Sequence, residues 1–270
     1  MSRVPAAAEP NENALWLLWN QHTATNAADQ EALLAACQTY TNQYSSDPFV
    51  LVGQTMTAWN LLRLGRQAEA AAILTRHLAR TDTPLENGAS HLARSWMTRI
   101  DREKVKAALQ FYYRREVRYP RSIEELIAYA PLPKDLAPPG RDRWGANWQY
   151  ALVGFRSLTG LLDQQYALSA QKLGNGSELA AALAAPYGDM MRVRSIRMLS
   201  SKPGGEIVEW LIAPPPAVPA DAEKAKPAER TVALGVNASA EGLSIAHIGR
   251  TILIVYDNYH WKLLARPAGG

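Results

Sequence analysis

The feature that most restricts this chain is a recurrence at a spacing of 34 residues in its first half. Ala36 and Ala70, Tyr40 and Leu74, and Tyr44 and Leu78 are each 34 apart. Self-similarity at such a period marks one supersecondary unit packed against its neighbour more than once. The unit is helical. Gln30 to Tyr40 places Leu33, Leu34, Cys37 and Tyr40 on one face of a 3.6-residue period. Further helical stretches are predicted over 49–64, 67–80, 86–99 and 101–118. Breaks are predicted at Ser46-Asp47-Pro48, Gly65, Thr81 to Pro84 and Asp101.

The segment from Ala58 to Leu74 resembles a tetratricopeptide repeat. Ala58 takes the small position of the first helix, Gly65 the turn, and Ala70 the small contact of the second. Asp47-Pro48 resembles the ending of a preceding repeat, and Leu85 to Arg118 a degenerate third, with Lys104 at its small position. Small residues let antiparallel helices approach, and large ones fill the seam. The resemblance implies a concave face lined by first helices. Gln54, Thr57, Asn60 and Arg63 recur at three-residue steps on such a helix, apart from the apolar Val52, Met56, Trp59 and Leu62. They are the partner-binding candidates, with a protein or peptide as the partner on the repeat face.

A different pattern follows. A helix from Glu103 to Glu116 runs into Arg118-Tyr119-Pro120, where proline stops it. Ser122 and Glu125 then read as a capping box for a short helix. Leu132 to Asp135 and Asp142-Arg143-Trp144-Gly145 follow. Trp148, Tyr150 and Leu152 alternate as a strand, with Gln165 to Ser169 as its antiparallel neighbour. The bottom-up arrangement is a helix laid on a small antiparallel sheet. In order and spacing, residues 102–178 resemble the C-terminal region of major type II secretion pseudopilins. The matching positions are Arg118, Tyr119, Pro120, Ser122, Glu125, Leu126, Leu132 to Asp135, Asp142, Trp144, Gly145, Gln149 and Tyr150. Tyr166, Leu168, Leu173, Gly174 and Gly176 match further on. Leu136 to Arg141 look inserted, Arg143 replaces a proline, and the apolar N-terminal helix of that family is absent from this sequence. The family binds calcium through oxygen ligands in the loop after its Leu-Gly element. Here Asn175 stands for its aspartate and Leu179 to Ala185 replace the acidic continuation, so no metal and no cofactor are expected.

The last third alternates apolar and basic residues from Met190 to Leu199, a half-exposed strand. More strands are predicted at 206–212, 231–236, 243–247, 251–256 and 261–264. Between them, 213–230 holds five prolines and six charged residues and reads as a linker or loop. The fold class is therefore α+β. The domains are expected as a flexible 1–12, a tetratricopeptide-like 13–100, a pseudopilin-like 101–212, the proline-rich 213–230, and strands at 231–270 that complete or append to the second domain.

Composition removes several functions. The net charge of +4 over 270 residues is too scattered to argue for a nucleic-acid binder. One cysteine excludes an internal disulfide framework and a thiolate zinc site. No run approaches the roughly 20 apolar residues that cross a bilayer. As written, the chain is expected to be soluble and cytoplasmic; a trimmed N-terminus would make it periplasmic or envelope-associated. No P-loop, H-E-x-x-H or G-x-S-x-G occurs. His22, His77 and His91 read as helical histidines, with His77 at a repeat contact; Cys37 reads as core, and Trp16 and Trp19 as core residues that anchor the first helix or cap the repeat stack. Arg114, Arg115, Arg118 and Arg121 form a basic run with a solvated or acidic-partner reading. The function expected is a non-enzymatic interaction or scaffold protein, associated with a bacterial type II secretion or pilus-like assembly. One alternative is an enzyme using His247, His260 or Asp257 between the helical and β-rich parts. The other is a pseudopilin-like subunit whose membrane helix is absent here.

Overall fold

The computed structural model describes residues 11–23, 29–156, 162–184, 187, 193–200, 205–212, 230–240 and 242–266. In chain order its elements are α1 (Glu12–Thr23), α2 (Gln30–Gln43), α3 (Val50–Arg63), α4 (Gln67–Thr75), α5 (Pro84–Glu116), α6 (Ile123–Ile127), β1 (Gln149–Arg156), β2 (Leu162–Ser169), α7 (Leu179–Ala184), β3 (Val193–Ser200), β4 (Ile207–Ile212), β5 (Arg230–Leu234), β6 (Ser239–Ala240), β7 (Leu243–Ile248), β8 (Ile252–Tyr256) and β9 (Trp261–Ala265). Helices precede most of the strands and every strand pair among the described residues is antiparallel, so the chain is α+β. Among the described residues, no helix is long and apolar enough to cross a membrane.

Two compact units divide the chain. One comprises 1–92 and 186–270; the other is 93–185. This grouping differs from the expected boundary at 212. The reason is strand pairing: β4 bonds β3 on one side and β5 on the other, which ties 193–212 to the strands that follow. The proline-rich 213–229 and residues 1–10 lie outside the described residues.

In the first unit the helical turns form where the residues demand them. The Asp29 carboxylate accepts from Ala32 N and caps α2. Gly65, at φ +74°, ends α3. Arg66 N donates to Leu61 O and Gly65 N to Leu62 O, the paired bonds of a Schellman ending that needs a left-handed residue. Ala58 and Ala70 are both fully buried beside that turn. Two sheets, β3-β4-β5 and β6-β7-β8-β9, share one core. Met198, Val208, Trp210 and Leu234 supply one side, and Leu243, Ile245, Leu253 and Val255 the other. The helices meet the second sheet through Trp261, whose indole N–H donates to the Thr55 hydroxyl. Gly88 leaves room for its ring: a Cβ there would fall 2.3 Å from Trp261 Cη2.

α5 departs from expectation. The predicted break at Asp101 does not exist, and one helix of 33 residues runs through it. No turn therefore divides the stretch that resembles a third repeat. Asp101 is buried because its carboxylate pairs with Arg143 Nε and lies 3.7 Å from Lys104 Nζ, so it serves tertiary packing instead of a helix boundary. The helix starts earlier than predicted because Thr83 and Glu86 form a reciprocal cap. Glu86 N donates to Thr83 Oγ1, and Glu86 Oε2 accepts from Thr83 N, with Pro84 at the first turn.

The second unit packs the rest of α5 over α6 and the β1–β2 hairpin. Val105, Leu109 and Tyr112 meet Ile123, Leu126, Trp148, Leu168 and Leu173. Ser122 caps α6 as predicted, accepting from Glu125 N, while the Glu125 carboxylate reaches back to Arg121 N. Tyr119 and Trp144 are half-buried against this core. Tyr119 stacks on Tyr113 at 4.6 Å and meets the Tyr166 ring edge at 4.7 Å, so it joins α5 to β2. Trp148 is buried, and its indole donates to Pro139 O. That carbonyl lies in the stretch the sequence marks as inserted.

Candidate functional site

The densest group of chemistry-bearing side chains lies in the first unit, around α3. Asn60, on α3 and fully buried, donates through Nδ2 to Met56 O at 3.0 Å. The same nitrogen lies 2.8 Å from His22 Nε2 and 3.7 Å from Cys37 Sγ. With Nδ2 committed as a donor, His22 Nε2 accepts and the ring is neutral. Tyr187 closes the group, its ring 4.8 Å from His22, 5.0 Å from Trp59 and 4.4 Å from His260.

A thiol, an imidazole and an amide in contact invite comparison with a nucleophilic constellation. The electrostatics oppose it. Burial, with the Arg63 charge adding to it, pulls the His22 pKa down to about 4. Burial pushes the Cys37 thiol up to about 12. A base that stays neutral and a thiol that stays protonated make no thiolate near neutral pH. Burial also holds the Tyr187 phenol well above its ordinary range. The group is a neutral polar plug within apolar packing.

This placement corrects the partner-binding stripe. Thr57 and Asn60 are 5% and 0% exposed, Gln54 is half-buried, and Arg63 alone of the four is exposed. Thr57 donates to Gly53 O, and Arg63 lies over the Trp59 ring at 5.0 Å. The stripe fails because α3 is buried nearly all round. α1, α2, α4 and the β8–β9 region leave it no outer polar face. Asn60 and Thr57 look like surface residues in the sequence; Asn60 is concealed by His22 of α1 and Cys37 of α2, 38 and 23 residues earlier.

The remaining histidines are also engaged in packing. His77 is 1% exposed, with a pKa lowered to about 4 by burial and by the charges of Arg80 and Arg76. His247 Nε2 lies 3.3 Å from Glu12 Oε1, and its ring meets Phe49 edge-on at 4.9 Å. The Asp257 carboxylate accepts from Tyr259 N and His260 N and shapes the turn before β9. Thus His247, His260 and Asp257 do not assemble as an acid–base set: His247 faces Glu12, and His260 faces Tyr187 and Trp59.

Glu12 has the role the sequence conceals most completely. Assigned to a flexible tail, it begins α1 and accepts from Arg250 N, Thr251 N and Thr251 Oγ1 at the β7–β8 turn. Burial opposes its charge, but these donors together hold the carboxyl below its usual range. Gly249 makes room for it, since a Cβ there would fall 1.8 Å from Glu12 Oε1.

In the second unit, a cleft of about 310 Å³ is lined by Tyr166, Ala167, Leu168 and Ser169 with Arg102, Gly174, Ser177 and Glu178. Consecutive strand residues point to opposite faces, so a cleft touching all four lies along the free edge of β2. Arg102 Nε donates to Leu168 O and Ala170 N donates to Ser177 Oγ, which protects that edge.

The turn at 174–177 bears on the calcium that the pseudopilin resemblance implies. Ser177 Oγ donates to Gly174 O, and the Gly176 carbonyl accepts from Arg99 Nε at 2.8 Å. Arg99 is itself buried, its guanidinium 4.6 Å above the Trp96 ring. Two potential ligand oxygens are taken, and a resident positive charge stands at the loop. These residues do not fit a divalent cation, which needs several free carboxylate and carbonyl oxygens. Among the described residues, no group of three or more histidine, cysteine, aspartate and glutamate side chains could hold a metal.

Compared with known proteins, the chain matches no family model, no curated protein and no solved structure.

Proposed function

We propose that this chain is a non-enzymatic interaction or scaffold protein. The observation that carries the reading is how its reactive groups are used. His22, Cys37 and Tyr187 form a buried neutral cluster, and Asp257 is committed to a turn. Meanwhile, charged and aromatic side chains collect on the exposed end of α5. The resemblances to tetratricopeptide repeats and to type II secretion pseudopilins support the same class, and they suggest a bacterial secretion or pilus-like assembly as its setting. Its contact surface is not the α3 stripe, where Thr57 and Asn60 are buried.

Crosslinking in cells tests the reading. The full chain, carrying a photo-crosslinking residue at exposed positions in turn, should capture a distinct protein at some positions and not others. If every position captures nothing, or the same background set, the interaction reading fails.

A further inference from the structure

Helix α5 ends in a conformation that folding alone does not favour. Val117 follows its last residue with φ +57° and is 80% exposed. A β-branched residue in the left-handed region is a steric outlier; glycine is the ordinary occupant of this position. The chain therefore holds an aliphatic side chain in solvent, in a strained backbone, where its removal would relieve both faults. Strain of this kind collects where a segment serves something other than stability.

The charges around it point the same way. The carboxylates at this end of the unit are already occupied. Glu116 accepts from Tyr129 OH. Glu125 accepts from Tyr112 OH, Arg118 Nη2 and Arg121 N. Arg114, Arg115 and Arg121 are exposed and have no carboxylate partner among the described residues; Arg115 lies over the Phe111 ring at 5.5 Å. The stacked, half-buried Tyr113 and Tyr119 stand beside them. Arginine and tyrosine are enriched among interface anchors, and Val117 adds exposed apolar surface beside them.

We infer that the end of α5, built from Arg114, Arg115, Val117 and Arg121, docks an acidic peptide segment of a partner protein, with apolar residues among its carboxylates. Charge complementarity selects the acid, because none of the three guanidinium groups there makes an ion pair among the described residues. Val117 selects a peptide over a phosphate backbone, which offers an aliphatic side chain nothing to cover. This deepens the interaction reading and rests on it.

The test uses the full chain and a fluorescein-labelled peptide alternating glutamate and leucine, followed by anisotropy. Arg114→Gln, Arg115→Gln and Arg121→Gln should each weaken binding about tenfold, the loss of one charge-assisted hydrogen bond. Arg80→Gln, in the other unit, lowers net charge equally and should change nothing. Val117→Gly should weaken binding while raising the melting temperature, a pairing that misfolding cannot produce. The inference is overturned if the parent does not bind the peptide. It is overturned if Arg80→Gln weakens binding as much as the others, or if Val117→Gly leaves it intact. A single-stranded oligonucleotide that binds more tightly, and is lost with the same arginines, would make this a nucleic-acid site and overturn it too. If the peptide fails while crosslinking captures a protein elsewhere on the chain, only this inference falls. If crosslinking captures nothing, the interaction reading itself falls.

Discussion

Acid should unfold this protein earlier than its carboxylates alone would dictate, and His77 allows a clean test. His22 and His77 are 4% and 1% exposed, and burial lowers each pKa from 6.5 to about 4. Unfolding returns both to water, where they take up protons below about pH 6.5. Their neutral burial thus costs nothing above that pH, and stability is lost progressively as pH falls from 6.5 towards 4. Between pH 7 and pH 5 each histidine should remove about 2 kcal/mol, or about 4 kcal/mol together. That is a large part of the roughly 5–15 kcal/mol typical of a folded domain. Glu12 and Glu125 titrate lower and add little in this window, since both carboxyls lie below their usual range, Glu125 at about 2. Neither ring nitrogen of His77 has a hydrogen-bond partner among the described residues. His77→Leu therefore removes the titration without breaking a bond. Urea unfolding at pH 7 and pH 5 should show the parent losing about twice as much stability as the variant. Equal losses in both proteins would refute the assignment of a buried neutral His77.

Three other outcomes follow from the geometry. Gly88→Ala should lower the melting temperature, although alanine is the better helix former by about 1 kcal/mol. Its Cβ would meet the Trp261 and Tyr256 rings at 2.3 and 2.9 Å, and overpacking typically costs about 1–3 kcal/mol; a rise would mean that the rings are free to move. Glu12→Ala should destabilise by about 1–3 kcal/mol in urea, because it strands the donors of Arg250 and Thr251; an unchanged midpoint would remove the clasp. Val117→Gly should stabilise by about 1 kcal/mol by relieving a left-handed valine, and a loss in thermal melts would show that Val117 packs in a way its exposure conceals.

Much of the fold could be read from local chemistry. The Gly65 turn, the Ser122 cap and nearly every strand rest on signals a few residues long, and the structure places them where those signals lie. Asp101 was misread because an aspartate at a helix boundary and an aspartate paired with Arg143, 42 residues away, are identical in one dimension. The same limit governed the candidate site. Asn60 and Thr57 form a polar stripe with a helical period, and only the packing of other elements around α3, His22 and Cys37 against Asn60 among them, buries it. Tyr187 and Glu12 carried no motif at all; each acquires its role from long-range contacts, Tyr187 with His22, Trp59 and His260 and Glu12 with Arg250 and Thr251. The basic run ending at Arg121 was visible, but its unpaired members emerged only once Glu116 and Glu125 had partners.

The first unit is discontinuous in sequence, and this sets an order on the ribosome. The second unit is complete once Ala185 has been made. The earlier helices must wait for Trp261, which lies between Thr55 and Gly88, and for Thr251, which receives Glu12. During that interval α3 presents Thr55 and Trp59 without Trp261 and His260 against them. The nascent chain thus carries a finished module behind an unfinished one. Premature termination anywhere between 186 and 250 should yield a product that aggregates through its N-terminal helices while residues 93–185 stay folded.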